Sequence, residues 1–260
     1  MRRLIRHCFA ALICLICFLF CGTACRSETE KTNIDAPDPV KRVAFTFDDG
    51  PHAVYTCQIV DKLIEIDGKA TFFVLGNRLT DKDNEKAMKY AAAAGCEIGT
   101  HGFSHLKHYD DCSDEDYDYE INWTAKLIAD RQEGKPVTLM RPVGGRISEE
   151  RVKNSSYAVV LWNVDPRDWE KKEDGERAEK NVQSIVDSVL DHVKDGDIIL
   201  MHDIYQNSVD AFCRIADALK KEGYEFVTVS ELLNSPAPGK RYFSVQDAGA
   251  VSETTPSSKK

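Results

Sequence analysis

Five short segments of the chain carry residue types suited to hydrolysis or to metal binding. The first is Thr46-Phe47-Asp48-Asp49-Gly50-Pro51-His52. Two adjacent carboxylates ahead of a Gly-Pro turn cannot both face a core, although acidic pairs also serve as caps at such junctions. The second, Gly99-Thr100-His101-Gly102-Phe103-Ser104-His105, sets two imidazoles four residues apart, so that both can reach one cation. Arg141-Pro142-Val143-Gly144-Gly145 places a cation beside backbone that a ligand can approach closely. Asp165-Pro166-Arg167-Asp168-Trp169 and Ile198-Ile199-Leu200-Met201-His202-Asp203 add further carboxylates and an imidazole. Taken singly, each has an ordinary structural explanation, such as a surface ion pair for Arg141 or a core aromatic for Trp169.

The elements that must position these groups can be read from periodicity. Short β-branched or apolar runs fall at 42–47, 70–74, 97–100, 139–141, 157–165, 197–201 and 225–229. Helical stripes lie between them. Ala178, Val182, Ile185, Val186, Val189, Leu190 and Val193 share one face, and Val209, Phe212, Cys213, Ala216 and Leu219 share another, with Gly223 placed to end that helix. Strand followed by helix, about seven times over, gives an α/β fold with a parallel sheet and right-handed crossovers, either open and doubly wound or closed as a barrel. Five strands would each end in polar, titratable residues at the carboxyl end, where α/β barrels assemble their sites, and that favours the barrel.

In this order, TFDDGP, the HxxxH pair, RPVGG, DPRDW and the Leu-x-His ending resemble the motifs of the NodB-type polysaccharide deacetylases, carbohydrate esterase family four. The segments ATFFVLG and FVTVSELL are also similar to that family, and the likeness runs from about residue 41 to 233. The resemblance implies a distorted (β/α) barrel of seven or eight units, the NodB homology domain. It also implies that Asp49, His101 and His105 bind one divalent metal, usually zinc. Two neutral imidazoles and one carboxylate leave coordination positions open, as a catalytic site requires. By the same likeness Asp48 is the general base, held ionised by Arg141, and His202 is the general acid, oriented by Asp168. Gly144 offers a backbone N–H to the oxyanion, while Trp169 and Leu200 receive the acetyl methyl. Asp165 shapes the loop after the fifth strand.

The chain departs from the family pattern at three places. Gly102 stands where a Ser or Thr hydroxyl is expected to brace the metal loop, which puts ligand rigidity in question. Val143 replaces a common Pro, and Gly144 a frequent aromatic. No metal, base or acid position is missing. The implied activity is removal of N-acetyl groups from amino-sugar polymers, with N-acetylglucosamine or N-acetylmuramic acid of peptidoglycan as the expected substrate and acetate as product. Chitooligosaccharides and acetylated xylan are alternatives within the same chemistry. A non-catalytic glycan-binding module is the alternative outside it, disfavoured by the intact base, acid and tuning partners.

The remainder of the sequence concerns delivery. Arg2, Arg3 and Arg6 precede an apolar run from Cys8 to Cys21, then Gly22, Thr23, Ala24 and Cys25, the order of an export signal. Cleavage after Ala24, lipidation of Cys25 and an uncleaved anchor all fit residues 1–25. Residues 26–39 are expected to be a linker, 40–234 the catalytic domain and 235–260 a disordered tail. Loss of residues 1–24 would take the formal charge from −9 to −12, which excludes nucleic acid as a natural partner. The expectation is an extracytoplasmic monomer, secreted or membrane-anchored, acting on cell-wall or other N-acetylated polysaccharide. Cys57, Cys96, Cys112 and Cys213 can pair as two disulfides in an oxidising compartment, and their irregular spacing argues against a thiolate zinc site. His52, His108 and His192 are expected to be structural or solvent-facing.

Overall fold

The computed structural model describes residues 40–105, 109–110, 112–170 and 181–249. The leader, the linker, His108, Ala178 and residues 250–260 lie outside them. Strand β1 (Arg42–Asp48) buries six of its seven residues and is the hub of the sheet. Strand β6 (Ile198–His202) pairs along one edge of it; β2 (Thr71–Val74), β3 (Glu97–Thr100), β4 (Leu139–Met140), β5 (Ala158–Val160) and β8 (Arg241–Tyr242) follow along the other. The order is β6-β1-β2-β3-β4-β5-β8, and all these pairings are parallel. Strand β7 (Glu225–Phe226) lies off this path, paired with the start of β1. Bridges from Val164 to Ile199 and from Ser244 to Asp197 draw the chain after β5 and after β8 back against β6, so the sheet curls into the expected distorted barrel.

The helices are α1 (Tyr55–Glu65), α2 (Lys82–Ala93), α3 (Asp114–Tyr117), α4 (Thr124–Arg131), α5 (Glu149–Asn154), α6 (Val182–Leu190), α7 (Gln206–Lys221), α8 (Val229–Leu232) and α9 (Val245–Gly249). A π-helical segment, Asp118–Trp123, joins α3 to α4. The two-residue period of the strands sorts the side chains. Val43, Phe45, Phe47, Phe72, Val74, Ile199 and Met201 pack with helix residues such as Ile59, Leu63, Ile185 and Phe212. Ala44, Phe73, Leu139, Ala158, Val160 and Ile198 form a second apolar cluster on the opposite face. On that inner face the positions nearest the carboxyl ends switch from apolar to Asp48, Arg141 and His202. Helix α7 buries the predicted stripe of Val209, Phe212, Ala216 and Leu219, leaves Cys213 partly buried, and is followed by Gly223 at φ 82°.

Three expectations need correction. The run 225–229 is a strand only over Glu225–Phe226, because Thr228 caps a helix that Val229 already opens. The run 157–165 is a strand only over Ala158–Val160, because the chain then turns to bring Val164 against β6, where its carbonyl accepts from the N–H of Leu200. The tail does not begin at 235. Residues 241–242 are the edge strand β8, with Tyr242 3% exposed against the inner cluster, and 245–249 are α9.

Candidate active site

Asp48 and His202 end adjacent strands and are register partners. After Asp48 the chain turns sharply: Asp49 has φ 72°, and the Gly50-Pro51 peptide is cis. A Cβ on Gly50 would lie 2.3 Å from the carboxylate of Asp203, so this turn requires glycine. Asp203 is fully buried; burial pushes its carboxyl up to about 7, and the Thr56 hydroxyl donates to it.

The turn delivers Asp49 to the two imidazoles. Its Oδ1 lies 3.2 Å from Nε2 of His105 and 3.5 Å from Nε2 of His101, and the three ligand atoms lie within 4.8 Å of one another. Nδ1 of His101 is 2.8 Å from the carbonyl oxygen of Arg141. That acceptor fixes the proton on Nδ1 and leaves the Nε2 lone pair facing Asp49. Burial lowers the pKa of His105, which favours the neutral, ligating form. Asp49 Oδ1 is buried without a hydrogen-bond donor. A buried carboxylate oxygen without a donor, facing two imidazole nitrogens, is a donor set that fits a divalent metal.

Arg141 is 0% exposed and lies between the aromatic faces of Phe73 and Trp162, its guanidinium carbon 4.3 Å and 5.4 Å from the ring centres. Nη1 donates to Asp48 Oδ1 at 2.9 Å and to Thr46 Oγ1 at 2.7 Å; Nε and Nη2 donate to the carbonyls of Val160 and Leu161. Every arm of the fork is committed, which presents Asp48 as an oriented, charge-paired carboxylate. The second oxygen of Asp48 lies 3.7 Å from His101 Nε2, beside the cluster of Asp49, His101 and His105.

The imidazole of His202 lies 2.8 Å through Nδ1 from Asp168 Oδ1, while Asp168 Oδ2 accepts from the His202 backbone N–H at 2.9 Å and from the Ser208 hydroxyl at 2.5 Å. Burial opposes charge on His202, but Asp168 outweighs it by Coulombic attraction and hydrogen bonding. Asp48 and Asp49 add to that, and the pKa is pushed up to about 9.

Leu200 lies two residues before His202 on the same inner face and is 3% exposed. Trp169 is 41% exposed, with Arg167 over its ring. Gly144 has φ 61° with open space where a Cβ would project, and Val143 fills an apolar cluster with Tyr109, Ile121 and Met140. Asp165 accepts from the N–H of Arg167, itself at φ 56°, and so shapes its loop. Beside Asp49 and His105 opens a cavity of about 430 Å³ also lined by Ser104, Asn77 and Arg78.

The structure thus gathers the predicted metal, base and acid groups at one end of the sheet. It adds roles that the sequence did not show: Thr46 and Ser208 anchor Arg141 and Asp168, and Asp203 lies beneath Gly50. Thr46 and Ser208 carry no signal beyond a hydroxyl at a strand or helix position. His52 Nδ1 faces the N–H groups of Val54 and Tyr55 at the start of α1, and His192 bonds the Ser188 carbonyl, both structural roles. Cys57, Cys96 and Cys213 are free thiols.

Comparison with known proteins agrees with this geometry. The family model described as polysaccharide deacetylase matches residues 35–159. A peptidoglycan-N-acetylglucosamine deacetylase of Bacillus cereus is 38% identical over 219 residues, covering 80% of this chain and 97% of that protein. The peptidoglycan-N-acetylmuramic acid deacetylase PdaC of Bacillus subtilis is 39% identical over 196 residues, 75% of this chain and 39% of PdaC. A solved structure of PdaC superposes with a TM-score of 0.68 over 75% of this chain and 91% of that one. A family 4 acetyl xylan esterase from Clostridium thermocellum, solved with a cobalt ion, gives 0.70 at 30% identity over 79% of this chain and 99% of that one. With fold, strand-end residues and relatives in agreement, this chain belongs to the polysaccharide deacetylases of carbohydrate esterase family four.

Proposed function

We propose that the chain hydrolyses N-acetyl groups of peptidoglycan amino sugars, N-acetylglucosamine or N-acetylmuramic acid, and releases acetate outside the cytoplasm. The observation that carries this reading is the donorless Asp49 oxygen between two imidazoles, with the Arg141-paired Asp48 and the Asp168-paired His202 beside it.

Asp49, His101 and His105 would hold the metal, which we take to be zinc. A bound zinc ion supplies Lewis acidity, lowering the pKa of water to about 7 and polarising the acetyl carbonyl. Asp48 takes the proton of the attacking water, with the Arg141 fork holding it in place and aimed. The N–H of Gly144, on backbone with open space beside it, donates to the oxyanion. His202 enters the reaction protonated because of Asp168 and gives its proton to the departing sugar amine. Leu200 and Trp169 border the acetyl methyl. The groove beside His105, with Asn77 and Arg78, accommodates the flanking glycan. The relatives named for peptidoglycan and the export-type leader at residues 1–25 support the wall as substrate; the likeness to an acetyl xylan esterase keeps O-deacetylation as the second reading.

The test is acetate release by the purified chain from peptidoglycan, from chitooligosaccharides and from acetylated xylan, with and without a chelator. Chelator-sensitive release from peptidoglycan, lost in Asp48→Asn with the metal still bound, is the expected result. Release from xylan alone would move the substrate to O-acetyl groups, and no release from any substrate would leave a glycan-binding module.

A further inference from the structure

Gly102 lacks the hydroxyl that the family pattern places between the two imidazoles, and the structure shows why none fits. A Cβ there would lie 2.0 Å from the Tyr109 hydroxyl and 3.1 Å from Glu120 Oε2, at a backbone φ of +97°. The space is filled instead by groups that grip the loop from outside. Glu120 is 5% exposed, and its carboxylate accepts from the N–H of Phe103 at 2.7 Å, from the N–H of Ser104 at 2.9 Å and from the Ser104 hydroxyl at 2.6 Å. Tyr109, 0% exposed, donates its hydroxyl to the carbonyl of His101 at 3.0 Å. Glu120 thereby binds the chain between His101 and His105, and Tyr109 binds His101 itself.

The element presenting Glu120 is unusual. It belongs to the π-helical segment Asp118–Trp123, flanked by α3 and α4. An inserted residue of this kind re-aims one side chain relative to its neighbours, and such insertions concentrate at functional sites. Tyr119 and Trp123 of the same segment are 49% and 43% exposed, whereas Glu120 and Ile121 turn inward. A carboxylate that accepts three hydrogen bonds in a buried setting is a rigid anchor.

We infer that Glu120, with Tyr109, is a positioning residue for the metal site: it replaces the absent side chain at position 102 and holds His101 and His105 in ligating register. The inference rests on Asp49, His101 and His105 being a metal site, and it is independent of which acetylated substrate is used. Groups that orient metal ligands change metal affinity by about 10–100-fold when removed.

The test is zinc affinity, measured by competition with a chromophoric chelator on the full chain, at a temperature where circular dichroism shows the metal-free protein folded. Glu120→Ala is expected to weaken zinc binding by about 10–100-fold. Glu120→Gln, whose carbonyl still faces the two N–H groups, is expected to recover most of that loss. Tyr109→Phe deletes one hydroxyl without opening the core and is expected to weaken zinc by about 3–10-fold, which keeps the inference testable if Glu120→Ala does not fold. Zinc affinity of wild-type strength in both Glu120→Ala and Tyr109→Phe, or in Tyr109→Phe where Glu120→Ala does not fold, would overturn it, because a merely structural role lowers the unfolding midpoint without moving metal affinity in the folded protein. A wild-type chain that takes up no zinc would overturn the brace and the metal site together. A wild-type chain that binds zinc but releases no acetate would remove the deacetylase reading alone.

Discussion

Replacing Asp168 with Asn tests the coupling between His202 and its carboxylate. The change is isosteric, and the amide oxygen can still accept from the His202 N–H and the Ser208 hydroxyl, so the fold has no reason to fail. The amide nitrogen would face Nδ1 of His202, which must then give up its proton and become an acceptor. In the wild type the His202 pKa is pushed up to about 9 from 6.5, and at about 1.4 kcal/mol per pKa unit this amounts to about 3 kcal/mol favouring the folded imidazolium. Because the folded pKa is raised, that stabilisation is fully present below about pH 6.5 and is lost as pH rises through about 9. At pH 7.5 about 97% of His202 is protonated with a pKa of about 9, against about 9% at the free value of 6.5, and burial, which the variant keeps, acts to lower it further, so loss of the acid alone lowers turnover by about tenfold or more. Denaturant melts of the metal-free chain from pH 6 to 10 check the stability part: the gap between wild type and Asp168→Asn should narrow on the alkaline side. The pH profile of kcat/KM checks the catalytic part, since the alkaline limb should move to lower pH. A gap independent of pH, together with an unmoved alkaline limb, would show that Asp168 does not hold the proton on His202.

Three further substitutions follow from single contacts. Arg141→Met removes the fork but leaves Asp48 buried and unpaired, and is expected to cost about 3–5 kcal/mol in denaturant unfolding as well as turnover. Gly102→Ser restores the residue type usual in the family, yet should destabilise the chain by about 1–3 kcal/mol and weaken zinc, because the added Cβ meets the Tyr109 hydroxyl at a strained φ. Gly50→Ala should lower the unfolding midpoint by the equivalent of about 1–3 kcal/mol through overlap with Asp203, and should reduce kcat by displacing Asp49.

Much of this site was legible in the sequence because its members sit at strand ends and strand ends are marked. Asp48, His101, Arg141 and His202 each close or immediately follow an apolar run, and a parallel α/β topology sends all such ends to one side. What the sequence could not show was reach. Arg141 binds a carboxylate 93 positions away, and Ser208 anchors an aspartate 40 positions away. Glu120 was hidden by its type: it stands in the acidic stretch DEDYDYE, where a carboxylate reads as one more solvated charge, whereas the fold buries it to 5% exposure. Strand β8 was hidden by composition, since Tyr242 and Phe243 follow a run of Ser, Pro, Gly and Lys, and two residues of pairing to β5 are enough to close its place in the sheet.

On the proposed function, one metal ion held by Asp49, His101 and His105 makes the chain a deacetylase. The most direct test strips the full chain with a chelator and returns zinc in fractions of an equivalent while acetate release from purified peptidoglycan is followed. Activity is predicted to return linearly and to saturate at one zinc per chain, with no recovery in His101→Ala at the same zinc concentrations. Full activity in the stripped chain, or equal recovery in His101→Ala, would mean that hydrolysis does not depend on a metal at these three residues.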